Sequence, residues 1–332
     1  MRSGDRDVVI GDMLPPAAGA GQTACRWYGP DYFGPRPAAG HGLVVPGGPE
    51  AITVGRKAVQ REEPDTMPAI PATSVANLRD LGGLPLGGGR SVRSGLVLRS
   101  AQLDRLEPEE PAVAGLKLRT VVDLRTAAER ADRPDRLPQD ARLLVADVLA
   151  DHLAASGLPP AARLKTLLTD PALAERHLGG GRIREAMRRT YRAFVTSDSA
   201  RASYRALLTE LGTPGAGPLL FHCTAGKDRT GWAATVVLAL LGADETVVRE
   251  EYLGVNPAVR QAFAPMIEGF VTQGGDPELA LAMIGVLPDY LDAGLEEVAD
   301  RHGSMEAYVR DGLGVPDELT ELIRERLTVY AA

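Results

Sequence analysis

A cysteine and an arginine, Cys223 and Arg229, are separated by five residues in this chain. Gly226 lies between them and Gly231 follows, so the backbone can turn where a Cβ atom would clash. A tight loop of successive N–H groups, followed by a helix N-terminus, forms an anion site whose field also stabilises a thiolate. The planar fork of an arginine can hold two phosphoryl oxygens at once. The pattern therefore indicates a thiolate placed to attack phosphorus, with Thr230 next in line to hydrogen-bond the sulfur.

The segments on either side must position this loop. The apolar residues at 219–220 follow a Gly-Pro turn and predict a buried strand. The apolar residues at 232–241 predict a buried helix that Gly242 ends. The alternative is that Cys223 is a core thiol and the spacing to Arg229 is a coincidence. The agreement of strand, glycines and helix favours the phosphate site.

The rest of the chain predicts an α/β fold with a mostly parallel central sheet flanked by helices. Short β-rich runs occur at 96–98, 120–124 and 143–145, with helical or turn segments between them. In such sheets the ligand site lies beyond the carboxyl ends of the strands, where Cys223 falls. After the loop, helix starts are predicted at Asp244, Asp276-Pro277, Pro288 and Pro316.

Composition limits the classes of function. The 332 residues carry a net charge of −7, which argues against bulk binding to nucleic acid or anionic membranes. Two cysteines, Cys25 and Cys223, are too few for a disulfide scaffold and indicate a reducing compartment. No stretch resembles a signal peptide or is long enough to span a bilayer. We therefore expect a cytoplasmic protein, with leaderless secretion as the alternative.

Residues 1–70 differ from the remainder. They are rich in Gly, Pro and Ala and show no sustained period, which predicts a poorly ordered N-terminal extension. Aromatic residues within it leave open that it docks on the main domain or a partner. The main domain is predicted at 71–332.

The loop from His222 to Gly231 resembles the signature of protein tyrosine phosphatases. Its form Cys-Thr-Ala-Gly-Lys-Asp-Arg-Thr-Gly is similar to the atypical bacterial branch of that family and to related lipid phosphatases. Similar motifs stand at 77–83, 95–100, 122–125 with Glu129 after them, 285–291 and 308–310. The resemblance implies a cysteine-phosphatase-like fold in which residues 253–287 form a helical lid. Ordinary helix packing is an equal alternative for that segment.

The resemblance also implies roles for the loop residues. Cys223 is the nucleophile that forms a cysteinyl-phosphate, and Arg229 with the loop amides stabilises the charge on the phosphoryl group. His222 fixes the loop backbone. No metal or cofactor is required. The residues expected to contact substrate are Thr224, Ala225, Gly226, Lys227 and Thr230.

A general acid must protonate the leaving oxygen. The chain has no Trp-Pro-Asp motif, and Asp228 occupies the loop position taken as the acid in the atypical branch. Asp147, after the strand at 143–145, is the rival, although it also suits a turn or helix cap. We expect Asp80, Asp123 and Arg125 to support the loop through ion pairs or hydrogen bonds.

The resulting prediction is a cysteine-dependent phosphatase acting on phosphotyrosine, with phosphoserine and phosphothreonine as further substrates. Its partners would be phosphoproteins or phosphoinositides. Lys227 makes a phosphoinositide phosphatase the first alternative. A rhodanese-like sulfurtransferase and a phosphate-binding module without turnover are lesser ones. Nothing in the sequence indicates an oligomeric state.

Overall fold

The computed structural model describes residues 70–151 and 166–330. The predicted extension over 1–70 and Cys25 lie outside these residues, apart from position 70 itself. The central sheet has five strands in the spatial order β1 (Arg79–Asp80), β4 (Val97–Ser100), β7 (Leu219–His222), β5 (Thr120–Asp123) and β6 (Arg142–Val145).

Four of these strands run parallel, which confirms the predicted fold class. β7 pairs in parallel with β4 on one side and β5 on the other, and β5 pairs in parallel with β6. The register places His222 between Ser100 and Asp123, so the end of β7 lies between two other carboxyl ends. The site-bearing loop therefore leaves the middle of the sheet.

Alternate residues of the strands face two hydrophobic clusters. Phe221 and Val122 join the larger cluster, whereas Leu220 and Val121 join the smaller one on the opposite face. Burial on both faces explains why the strands read as continuous apolar runs. The sheet is thereby held rigidly from both sides beneath the loop.

The strands predicted from sequence are accompanied by shorter ones that were not predicted. β1 is antiparallel to β4. A second, antiparallel sheet joins β2 (Pro85–Leu86), β3 (Arg90–Val92) and β8 (Thr328–Tyr330). Strands of two or three residues are too short to show an alternating pattern, so pairing with distant segments decides their conformation.

Helices cover the sheet and make up most of the C-terminal part. They include α1 (Pro111–Ala114), α2 (Ala127–Asp132), α3 (Pro171–Leu178), α4 (Arg182–Thr196), α5 (Asp198–Gly212), α6 (Asp228–Leu241), α7 (Glu245–Leu253), α8 (Asn256–Thr272), α9 (Pro277–Ile284), α10 (Pro288–His302), α11 (Met305–Ala307) and α12 (Asp317–Leu327). The helix starts predicted at Asp244, Asp276, Pro288 and Pro316 are confirmed within a residue or two.

The helix α6 positions the site and is almost wholly buried. Trp232 of this helix is fully buried. Its indole packs against Gly294 of α10 so closely that a Cβ atom on Gly294 would lie 2.5 Å from the ring. The helix ends at Gly242, which adopts a left-handed conformation with φ of 90°. Close packing on every side fixes the helix N-terminus that carries Arg229.

The segment predicted as a lid forms α8 and α9. Phe263 and Phe270 belong to the larger hydrophobic cluster, so these helices pack continuously with the core. Asn256 joins the ends of the segment by hydrogen bonds with both backbone groups of Val286. A lid function stays a prediction. Among the described residues, no helix is long and apolar enough to cross a membrane.

Candidate active site

The loop that follows β7 carries Cys223 at its start and delivers Arg229 to the first turn of α6. Cys223 is a free thiol, only 2% exposed, and lies at the edge of the larger core cluster. Arg229 is 9% exposed. An outer nitrogen of Arg229 lies 3.4 Å from Oγ1 of Thr224, the residue after Cys223. The fold thus brings the two predicted residues together.

The backbone of this loop has its carbonyl groups bound and its amides free. The carbonyl of Gly226 accepts from Asn77 Nδ2 at 2.8 Å and from an Arg99 nitrogen at 2.7 Å. The carbonyl of Thr224 accepts from the N–H of Gln102 at 3.2 Å. The N–H groups of residues 224–227 donate to no acceptor among the described residues. Amides left free beside a helix N-terminus form an anion site.

Gly226 is required where the loop touches β4. Its φ is +66°, and a Cβ atom at this position would lie 2.3 Å from the backbone oxygen of Ser100. Both the conformation and the contact exclude a side chain. The expected substrate-contacting residues 224–227 are therefore held close against the sheet.

Buried charges support the loop from below. Arg99, whose guanidinium reaches Gly226, also donates to both carboxylate oxygens of Glu251, at 2.7 and 2.6 Å. Arg79 lies 3.5 Å from the same carboxylate and donates to the Glu251 carbonyl at 3.3 Å. Burial, followed by the charge of Arg99, lowers the pKa of Arg79 to about 10. Two arginines thus face one carboxylate under the anion site.

Glu129 orients Arg229. The two outer nitrogens of Arg229 lie 2.7 and 2.8 Å from the Glu129 carboxylate oxygens, and Thr224 Oγ1 donates to the same carboxylate. Burial alone would raise the pKa of Glu129, but the charge and hydrogen bonds of Arg229 lower it well below its usual range. Burial would lower the pKa of Arg229, and Glu129 reverses this and raises it well above its usual value.

Glu129 entered the sequence analysis only as part of a motif, without a role. A local signal existed, since Glu129 completes a capping box with Thr126 at the start of α2. The box predicts where the helix begins. It does not predict that the same carboxylate meets an arginine one hundred residues later in the chain.

His222 fixes the start of the loop. Its Nδ1 lies 3.1 Å from the carbonyl oxygen of Cys223, and its Nε2 lies 3.1 Å from Oδ2 of Asp135. Burial alone would raise the pKa of Asp135, but His222 and Arg125 lower it to about 2. Asp135 is a second supporting residue that the sequence analysis did not identify.

Asp123, Asp135 and His222 offer ligand atoms within 4.8 Å of one another, as a metal site would. Arg125 already occupies this cluster, with nitrogens 2.8 Å from a carboxylate oxygen of Asp123 and 2.8 Å from one of Asp135. The Arg125 guanidinium between the carboxylates supplies the positive charge that a metal ion would otherwise supply. Asp123 and Arg125 therefore support the loop indirectly, through Asp135 and His222.

The two candidate acids have different surroundings. Asp228 lies in the first turn of α6, where Oδ1 accepts from the Tyr191 hydroxyl at 3.2 Å and Oδ2 lies 3.6 Å from Lys227 Nζ. Asp147 accepts from the N–H groups of Ala127 and Leu149, both at 3.1 Å. The Asp147 carboxylate thus caps α2 and a turn with both of its oxygens.

The sequence analysis did not predict the contacts that the structure shows for three further site residues, Lys227, Thr230 and Asp80. Lys227 donates to the carbonyl of Gly285 at 3.0 Å, which ties the loop to the end of α9. Thr230 is buried, but its hydroxyl has no partner among the described residues, so the expected bond to the Cys223 sulfur is not formed. Asp80 accepts from the N–H groups of Gly82 and Gly95, at 2.8 and 2.6 Å. These contacts stabilise the turn after β1, and a role of Asp80 in supporting the loop stays a prediction.

Comparison with known proteins gives consistent results. A family model described as the tyrosine phosphatase family matches residues 70–329. A Cupriavidus necator protein, provisionally named a tyrosine-protein phosphatase, is 31% identical over 250 residues, covering 73% of this chain and 83% of its own length. The triple specificity protein phosphatase PtpB of Mycobacterium tuberculosis is 34% identical over 242 residues, covering 67% of this chain and 87% of its own. The crystal structure of Pseudomonas aeruginosa TpbA aligns over 59% of this chain and 90% of its own, with 21% identity and a TM-score of only 0.24.

Proposed function

Because the chain belongs to the tyrosine phosphatase family, a family of phosphomonoester hydrolases, we propose that it cleaves phosphotyrosine through a cysteinyl-phosphate on Cys223. The observation that carries the proposal is the loop whose carbonyls accept hydrogen bonds and whose amides have no acceptor among residues 70–151 and 166–330, with Arg229 3.4 Å from the Thr224 hydroxyl next to the thiol. Such a site binds a dianion and stabilises the charge that develops on the transferred group.

The proposed reaction has two displacements. The Cys223 thiolate attacks phosphorus, the P–O bond to the leaving group breaks, and Asp228 donates its proton to the departing oxygen. Water then attacks the cysteinyl-phosphate, Asp228 takes a proton from it, and the S–P bond breaks to release phosphate and regenerate the thiolate. Asp228 is favoured over Asp147 because both oxygens of Asp147 accept backbone hydrogen bonds.

The proposal is tested on the purified chain with a phosphotyrosine peptide. Cys223→Ser should bind phosphate yet retain less than about a thousandth of wild-type turnover, since a hydroxyl is a far weaker nucleophile here. Retention of more activity would contradict the nucleophile assignment. Asp228→Asn should lose rate mainly on substrates with poor leaving groups, while Asp147→Asn should not. The opposite result would transfer the acid role to Asp147.

Phosphoinositides are the second candidate substrates, and Lys227 favours them. Its ammonium lies beside Asp228 and carries positive charge to the edge of the loop, where a second phosphate of a headgroup would meet it. Lys227→Ala should reduce turnover of inositol phosphates more than that of phosphotyrosine. Equal losses on both would remove the argument. Phosphoserine and phosphothreonine peptides complete the panel, with orthovanadate as the inhibitor.

The chemistry also suggests where the enzyme works. A catalytic thiol must stay reduced, so we propose a reducing compartment such as the cytoplasm. Phosphorylated protein is the partner that the proposed reaction requires. Labelling of Cys223 by a thiol reagent in intact cells, compared with labelling after lysis under oxidising conditions, tests this placement.

A further inference from the structure

Two buried tyrosines lie behind Asp228 and have no part in the proposed reaction. Tyr191 comes from α4 and Tyr252 from α7, and both are fully buried. The Tyr252 hydroxyl donates to the Tyr191 oxygen at 2.8 Å, and the Tyr191 hydroxyl donates to Asp228 Oδ1 at 3.2 Å. The two rings meet edge to face, at 89°. Phenol groups normally avoid such depth unless they find partners.

The direction of this chain of hydrogen bonds follows from the ionised Asp228 carboxylate, which can only accept, while the Tyr252 hydroxyl lies nearer to the Tyr191 oxygen than to the carbonyl of Leu287, at 3.5 Å. Each phenol has one proton, so a Tyr191 oxygen that accepts from Tyr252 is free to donate its own proton to a carboxylate. Burial is the main cause that raises the pKa of both tyrosines well above the usual value, and the charge of Asp228 adds to it. Both groups therefore remain donors over the whole working range of pH.

The two oxygens of Asp228 consequently have different neighbours. Oδ1 faces the buried phenol, whereas Oδ2 faces Lys227, whose ammonium is itself anchored on the carbonyl of Gly285. Contacts on both oxygens restrict rotation of the carboxyl, whose side chain is partly buried in the first turn of α6. Among the described residues, the charged or titratable groups near it are Lys227, Arg229, Tyr191, Tyr204, Tyr252 and Tyr290.

We propose that Tyr191, held by Tyr252, is a positioning residue that fixes the Asp228 carboxyl through Oδ1 and leaves Oδ2 for the leaving-group oxygen. This inference rests on the proposed acid role of Asp228. A general acid acts only within hydrogen-bond reach of the atom it protonates, and small displacements of a catalytic group cost large factors in rate. The 3.2 Å separation suits a contact that tightens when substrate binds.

The test compares two aryl phosphates on the full-length chain. Phenyl phosphate has a poor leaving group that needs protonation, whereas dinitrophenyl phosphate has a good one that does not. Tyr191→Phe should lower kcat/KM about tenfold on phenyl phosphate and less than about twofold on dinitrophenyl phosphate, since it removes one hydrogen bond to a charged group. The comparison uses kcat/KM because it reports the first displacement, whereas kcat also contains the hydrolysis step that both substrates share. In an Asp228→Asn background, the same substitution should cause no further selective loss.

Tyr308→Phe is the matched control. Tyr308 is also a buried phenol, and its hydroxyl donates to the carbonyl of Phe194, on the same helix as Tyr191, at 3.4 Å. It should change thermal stability without changing the ratio of the two rates. If Tyr191→Phe does not fold, Tyr252→Phe removes the outer hydrogen bond and should give a smaller loss with the same selectivity.

The outcomes separate the two hypotheses. If Asp228→Asn lowers kcat/KM equally on both substrates, the acid role itself is wrong. Suppose instead that Asp228→Asn lowers the rate selectively on phenyl phosphate. The positioning role is then wrong if Tyr191→Phe slows both substrates equally or slows neither. It is also wrong if Tyr191→Phe causes its full loss of rate again in the double variant. A selective loss that disappears in the Asp228→Asn background supports it.

Discussion

Replacing Glu129 by Gln removes the negative charge beside Arg229, the proposed catalytic arginine, with almost no change in side-chain shape. The substitution tests whether that charge holds the guanidinium in place. The carboxylate binds both outer nitrogens of Arg229, at 2.7 and 2.8 Å. A glutamine amide offers only one acceptor oxygen and turns its own N–H₂ group toward the second guanidinium nitrogen. The capping role toward Thr126 survives, because glutamine also completes a capping box.

The expected loss of stability follows from burial. Removing one partner of a buried ion pair costs about 3–5 kcal/mol, because an uncompensated charge remains. The Glu129 side chain is 25% exposed, so water can replace part of the lost interaction and we expect about 2–3 kcal/mol. In addition, kcat/KM should fall about tenfold or more, since the guanidinium is no longer aimed.

Urea unfolding at several pH values provides the assay. The folded pKa of Glu129 lies below its usual 4.5, so its contribution is fully present above pH 4.5 and is lost as pH falls toward the folded value. The gap between wild type and Glu129→Gln should therefore be constant near neutral pH and narrow in acid. Glu185→Gln is the control, because its pairs with Arg188 and Arg189 are long and exposed.

Two outcomes would refute this reasoning. One is a Glu129→Gln variant whose unfolding free energy at neutral pH matches that of Glu185→Gln. The other is a gap that does not shrink in acid. The first would mean that the bidentate contact contributes no net free energy to the folded state. The second would mean that the difference does not come from the charge of the Glu129 carboxylate.

Two further substitutions test other supports of the loop. Asp135→Asn should cost on the order of 2 kcal/mol at neutral pH, and urea titrations should show this difference fading as pH falls from 3.8 toward about 2, the folded pKa of Asp135. Gly226→Ala should cost about 2–4 kcal/mol in thermal unfolding and abolish phosphate binding, because a Cβ would lie 2.3 Å from the Ser100 oxygen. Gly274→Ala, also at positive φ but with open space around it, should cost only about 1 kcal/mol; equal losses for the two glycines would contradict the contact argument.

The sequence predicted the parts of the site that are contiguous. Cys223 directly follows a strand and Arg229 lies in the first turn of the next helix. Their spacing and the neighbouring glycines were therefore enough to predict the loop that joins them. The central parallel strands were also predictable, since β5 and β7 are buried on both faces and therefore carry apolar residues at successive positions, whereas β6 at the edge is largely exposed. The conformation of residues 1–69 lies outside what the structure describes.

The partners of the loop were not predictable, because each comes from another element. Glu129 is on α2, Glu251 on α7 and Asp135 in the segment after α2. The sequence pattern around a helical carboxylate is the same whether that carboxylate faces solvent or a buried arginine. Only the tertiary structure distinguishes the two cases. Asp80 shows a related limit, since its motif position did not predict that its carboxylate accepts from the N–H groups of Gly82 and Gly95.

Three buried ionic clusters surround the loop, and their charges explain why they exist. Buried ion pairs are expensive to desolvate and are weak evidence of stability, so fixing a conformation is the better account of them. Around Arg99, two guanidinium groups share the single carboxylate of Glu251, which leaves an excess of positive charge beneath free amides. The lowered pKa of Arg79 is a consequence of that excess as well as of burial. A phosphate dianion bound at the proposed site would offset it, so these charges would favour the bound state.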